Sequence, residues 1–89
     1  MNSVFCEEGS LETRSLKLLY DQGTLTTDKV KAQKNENFWT LYVFTNYGSV
    51  KTVTRARTNV PKEYKSTDAV ISDLRKIGFK NVNIEFTFG

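Results

Sequence analysis

The sequence predicts an α+β fold: one antiparallel sheet of about four strands, helices packed on one face, in the order α-β-β-β-α-β. Three observations carry that expectation. The run Phe38–Thr45 is almost continuously β-branched or aromatic, and Val82–Phe88 alternates apolar with polar residues strictly. Two further stretches, Leu11–Tyr20 and Val70–Ile77, space apolar residues for a helix side, and each is followed closely by a glycine. Asn46-Tyr47-Gly48 separates two strand-like runs by the short distance a hairpin needs.

In chain order, Met1–Gly9 reads as an arm, with Phe5 able to tuck onto the domain. Ser10 is placed to cap a helix running to about Tyr20, and Glu12 falls in its first turn, where a carboxylate suits the dipole. Leu11, Ser15, Leu18 and Leu19 share one side of that helix, with Leu16 off it; Asp21-Gln22-Gly23 stops it. Across Thr24–Lys34, Val30 and Ala32 alternate with Lys29, Lys31 and Gln33, as in an outer strand whose lysines guard a free edge. A winged-helix alternative puts a second helix from Thr26 or Thr27, but that helix offers a core little beyond Val30. Asn35-Glu36-Asn37 turns the chain into Phe38–Thr45, and Ser49–Arg57 returns beside it, completing a three-stranded meander.

Thr58–Lys65 reads as a loop around the only proline, Pro61. Ser66 or Thr67 caps the second helix, with Asp68 in its first turn and Arg75 and Lys76 in its last. Val70, Ile71, Leu74 and Ile77 form its buried stripe, Gly78 ends it, and Phe79 folds back towards Leu74. Val82, Ile84, Phe86 and Phe88 then make the inward side of a last, half-buried strand.

The composition excludes most chemistries. Eighty-nine residues suit one domain. There is no histidine, which removes the commonest general base and metal ligand together. The lone Cys6 has Glu7 and Glu8 beside it, and adjacent negative charge disfavours a thiolate. No glycine-rich phosphate loop, metal-ligand cluster or nucleophile–base spacing appears. The expectation is a protein without catalytic activity, cofactor or metal. One cysteine and no long apolar run lead to a cytoplasmic protein with no membrane segment.

Two features point to binding. The net charge of +3 is uneven: residues 1–28 hold two basic and five acidic side chains, and residues 29–89 hold eleven and five. Lys51, Arg55, Arg57, Lys62 and Lys65 fall within fifteen residues that include one acid, Glu63. Lys51 and Arg55 share a strand face, which Arg57 continues if the strand runs that far; such a row can track the phosphates of a nucleic acid. The competing reading is a solvated edge whose lysines serve solubility. The second feature is that both faces of the central strand are apolar: Trp39, Leu41 and Val43 on one, Phe38, Thr40, Tyr42 and Phe44 on the other. Either the first helix or the arm covers the second face, or Phe38, Tyr42 and Phe44 meet a homodimer mate or other protein, or they stack on unpaired bases.

Over residues 38–80 the chain resembles the small ParC-type accessory proteins associated with plasmid partition. The likeness is carried by Trp39, Leu41, Gly48, Arg55-Ala56-Arg57-Thr58, Pro61, Tyr64-Lys65-Ser66-Thr67-Asp68-Ala69 and Ile77-Gly78-Phe79. The resemblance implies a role in maintaining or regulating a mobile genetic element, plasmid or phage, and assigns no functional residues.

Overall fold

Strand β1, Ser10–Glu12, opens the fold and runs straight into helix α1, Thr13–Asp21. Strands β2 (Leu25–Lys34), β3 (Trp39–Thr45) and β4 (Val50–Thr54) follow as the meander, then helix α2 (Thr67–Ile77) and strand β5 (Asn83–Phe88). The computed structural model describes residues 10–88; the arm expected over 1–9, with Phe5 and Cys6, lies outside them.

The α+β class and the order α-β-β-β-α-β hold, with the three-residue β1 added in front. The sheet order is β1-β4-β3-β2-β5. Its meander is antiparallel, while both outer strands join in parallel, β1 to β4 and β5 to β2, so the sheet is mixed rather than purely antiparallel. The connections β1-α1-β2 and β4-α2-β5 each link parallel strands and cross the sheet in the same direction. Right-handed crossovers then put both helices on the same face. One core results: Leu16 of α1, Val70, Leu74 and Ile77 of α2, and Val30, Ala32, Leu41, Val43 and Val53 of the sheet are all buried together.

Three local expectations are corrected. The first helix starts after Glu12, not Ser10, and no side chain caps it. Its buried side is Leu16 with the half-buried Leu19 and Tyr20, and Leu18 is 61% exposed. Strand β2 is interior, because β5 pairs along its outer side, so its lysines guard no edge. Leu25 and Val30 both reach the core although five residues apart, which the register shift between them accommodates. The return strand ends at Thr54, three residues short of Arg57. Beyond it the strands part, and the segment after Pro61 fills the gap, pairing Pro61 with Thr54 and Tyr64 with Trp39.

Helix α2 matches its sequence at both ends, but Ile71 of the expected buried stripe is exposed and Asp73 is buried in addition to Val70, Leu74 and Ile77. Ser66 Oγ accepts from the Ala69 N–H at 3.2 Å, and the Gly78 and Phe79 N–H groups close on the Leu74 carbonyl at 3.1 and 3.0 Å. Gly78 has φ 131° and lies so close to Tyr20 that an added Cβ would stand 2.8 Å from the ring. That contact joins the two helices, since Tyr20 also meets Phe79 edge-on at 5.0 Å.

Candidate functional site

The five basic residues expected to form one row are dispersed around the β4 end of the sheet. Lys51 is half-buried and pairs with Val43, which sets it on the helix side. Arg55 and Arg57 stand exposed in the turn after β4, and neither meets a carboxylate of the described residues. That turn is ordered: the Arg55 N–H donates to the Val60 carbonyl at 3.0 Å, the Thr58 hydroxyl to the Arg55 carbonyl at 3.3 Å, and the Val60 N–H to the Thr58 hydroxyl at 3.1 Å. Arg57 holds φ 63°, the left-handed conformation that favours glycine, so the strand cannot carry it as part of a continuous row. Lys65 is exposed just before α2. Lys62 is committed elsewhere.

Lys62 Nζ lies 2.8 Å from Asp73 Oδ2. Asp73 is 4% exposed, and the Tyr64 hydroxyl donates to the same oxygen at 2.6 Å. The Thr13 hydroxyl approaches it at 3.4 Å, and Lys76 Nζ stands 3.9 Å from Oδ1. Burial works to raise the Asp73 pKa, but the hydrogen bonds from Lys62 and Tyr64, with the charges of Lys62 and Lys76, outweigh it and hold the carboxyl below its ordinary range. The Tyr64 phenol is pushed well above its ordinary value by burial, reinforced by the hydrogen bond and charge of Asp73. The cluster pins the start of α1, the β4–α2 segment and α2 to one point, and it leaves Lys62 little freedom to reach a partner.

No family model, curated protein or solved structure matches the chain. The site therefore rests on its own chemistry. Among the described residues no group of three His, Cys, Asp or Glu is placed to hold a metal, and no helix is long and apolar enough to cross a membrane.

The second candidate surface is the sheet face opposite the helices. Trp39, Leu41 and Val43 point to the core, so Phe38, Tyr42 and Phe44 point away, and all three are half-buried. Of the coverings foreseen, the first helix is excluded, since it packs on the other side. Tyr42 on the central strand lies between Lys31 and Thr52, and Phe44 lies opposite Val50. Lys29 Nζ sits 5.4 Å from the Phe44 ring centre, a cation–π contact, and Lys31 is paired in turn with Glu85 of β5. Two aromatic rings two residues apart on one strand stand about 7 Å from each other in line, flanked by two lysines.

Sequence reasoning missed four members of these surfaces. Asp73 was legible in principle, as an acid on the same helix side as Val70, Leu74 and Ile77. Arg14, on the first turn of α1, joins Arg55 and Lys62 along a cleft of about 400 Å³, a juxtaposition that depends on where α1 begins. Lys29 and Lys31 read as edge guards and instead border the aromatic face.

Proposed function

We propose that this protein binds single-stranded nucleic acid and carries out no catalysis, acting as an accessory or regulatory factor of a mobile genetic element. The observation that carries the reading is the sheet face opposite the helices, where Tyr42 and Phe44 lie in line on β3 with Lys31 and Lys29 of β2 along one side. Unpaired bases stack on such rings whatever their sequence, and lysines beside them neutralise the phosphates that connect those bases. Duplex DNA buries its base faces and gains nothing from this platform. Arg55, Arg57 and Lys65, exposed past the β4 end, extend the positive surface; Lys51 and Lys62 contribute charge from less accessible positions. The mobile-element setting is supported by the resemblance over residues 38–80.

Anisotropy of labelled single strands and duplexes of matched sequence, measured across a salt series, tests the reading. Single strands bind more tightly, and the logarithm of affinity falls linearly with the logarithm of salt. Tyr42→Ala and Phe44→Ala each weaken binding by about 1–3 kcal/mol. Absence of any complex at low ionic strength overturns it.

A second reading, a protein-interaction module and homodimer, is favoured by a different observation. Strand β5 closes the sheet order, and its Phe88, 76% exposed, is stacked only edge-on against Trp39. Among the described residues no strand pairs along the outer side of β5, and an uncovered edge pairs readily with another strand. Sedimentation equilibrium decides: a monomer at all concentrations removes the homodimer.

A further inference from the structure

We propose that β5 pairs antiparallel with β5 of a second copy of this chain, about a twofold axis at Phe86, so that two five-stranded sheets become one. This pairing rests on the homodimer reading and gives it a register. The two edges of the sheet are finished differently. At one end β1 is three residues long and ends on the charge of Glu12, and short length and charge both blunt an edge. At the other end β5 runs for six residues in unbroken register with β2, without lysine, proline or bulge. Its one charge, Glu85, stands opposite Lys31 of its own sheet and is matched there.

The side chains of β5 divide by face. Ile84 and Phe86 lie beside Val30 and Ala32 of the core, yet both stay half-buried. Phe88 continues their row, touches Trp39 edge-on at 5.3 Å, and is still 76% exposed. A large ring so placed gains free energy under a neighbouring apolar side chain.

A twofold axis at Phe86 supplies that neighbour. Phe86 meets its own counterpart, and Ile84 of each copy comes opposite Phe88 of the other, all on the helix side. On the other side Glu85 of each copy comes opposite Thr87, and no like charges meet. An axis at Glu85 would set two carboxylates against each other, and an axis at Ile84 would place Phe88 opposite Lys80. An axis at Thr87 would leave only three residues of β5 paired. The chosen axis stands perpendicular to the sheet, so both copies keep their helices on one side and their opposite faces join.

Sedimentation equilibrium of the full chain, from micromolar to millimolar concentration, provides the test. The parent chain dimerises. Phe88→Lys, which alters an exposed side chain and leaves the fold intact by circular dichroism, weakens the dimer at least about tenfold. Position 87 reads the register. Thr87→Lys meets Glu85 of the other copy and tightens the dimer about threefold, whereas Thr87→Glu weakens it by a similar factor. The gain from Thr87→Lys disappears in a Glu85→Gln background. Amide NMR of the parent chain, which needs no variant, shows concentration-dependent shifts centred on residues 83–88.

A dimer indifferent to Phe88→Lys, with no shifts in β5, overturns this pairing and leaves the homodimer reading standing. A dimer weakened by Phe88→Lys but blind to the sign of charge at position 87 overturns the register. A monomer at every concentration overturns both the pairing and the homodimer reading, and leaves the edge to a strand of another protein.

Discussion

The two faces of the sheet are cut from the same three strands, yet they are built for different ends. On the helix side, alternate residues Val30, Ala32, Leu41, Val43 and Val53 are sealed under Leu16, Val70, Leu74 and Ile77. On the opposite side, their neighbours Lys31, Tyr42 and Thr52 form a cross-strand row with no helix of the described residues above it. A pleated strand turns successive side chains to opposite faces, so one residue of displacement separates the core of this domain from the face proposed to bind. The comparison breaks most visibly with a pair of variants one position apart. Leu41→Ala empties a fully buried site and costs about 3 kcal/mol or more, a large share of a margin of about 5–10 kcal/mol. Tyr42→Ala costs about 1 kcal/mol of stability and weakens the binding of single strands by about 1–3 kcal/mol. Urea unfolding and anisotropy on both variants check this; equal stability losses would mean that Tyr42 belongs to a core.

How much of this was legible in the sequence follows from which forces act locally. The meander and β5 declared themselves through period-two patterning, and α2 through Ser66 at one end and Gly78-Phe79 at the other, because caps and alternation depend on near neighbours. Helix α1 was misread because Leu11, Leu16, Leu18 and Leu19 offer two overlapping stripes. Which stripe is buried depends on where the helix starts, and the parallel pairing of Ser10–Glu12 with Thr52–Thr54 decides that from across the chain. The position of β2 failed for the same reason: Lys29, Lys31 and Lys34 look like edge guards until β5, more than fifty residues later, pairs beside them. The basic row was a sound observation about charge, but a strand that stops at Thr54 cannot present Arg57 in line.

The corner around Asp73 sharpens the contrast between the binding face and the parts that hold the domain together, with an effect of intermediate size. Asp73→Asn removes the charge that fixes Lys62 while leaving an oxygen for Tyr64. The loss is about 2 kcal/mol, smaller than for a fully buried pair because the Lys62 side chain is 38% exposed and solvent screens it. The pH dependence carries the sign. Asp73 is lowered in the folded state, so its contribution is present above the unfolded value of 3.8 and is lost as the pH falls through the folded value. Tyr64 is raised, so its contribution is present below 10.0 and fades as the pH climbs beyond it. Thermal unfolding of Asp73→Asn at acid, neutral and alkaline pH therefore shows a shallower acid decline than the parent, and Tyr64→Phe shows a shallower alkaline one. Oligonucleotide affinity at neutral pH stays unchanged in Asp73→Asn, provided that Lys62 acts mainly within the cluster.

The smallest effect separates charge from fold most cleanly. Arg57 occupies the left-handed conformation at φ 63°, which costs a residue with a Cβ about 1 kcal/mol. Arg57→Gly removes that strain and returns a similar amount of freedom to the unfolded chain, so the melting temperature moves little, with a net change within about 0.5 kcal/mol. The turn keeps its Arg55–Val60 and Thr58 hydrogen bonds, which involve no atom of the Arg57 side chain. What the variant does lose is one exposed cation. If Arg57 contacts a phosphate, the slope of log affinity against log salt falls by about one, and Arg57→Lys restores the slope but keeps the strain. An unaltered slope in Arg57→Gly would confine nucleic-acid contact to the aromatic face and its two lysines. A strained arginine where glycine fits best would then lack a binding role.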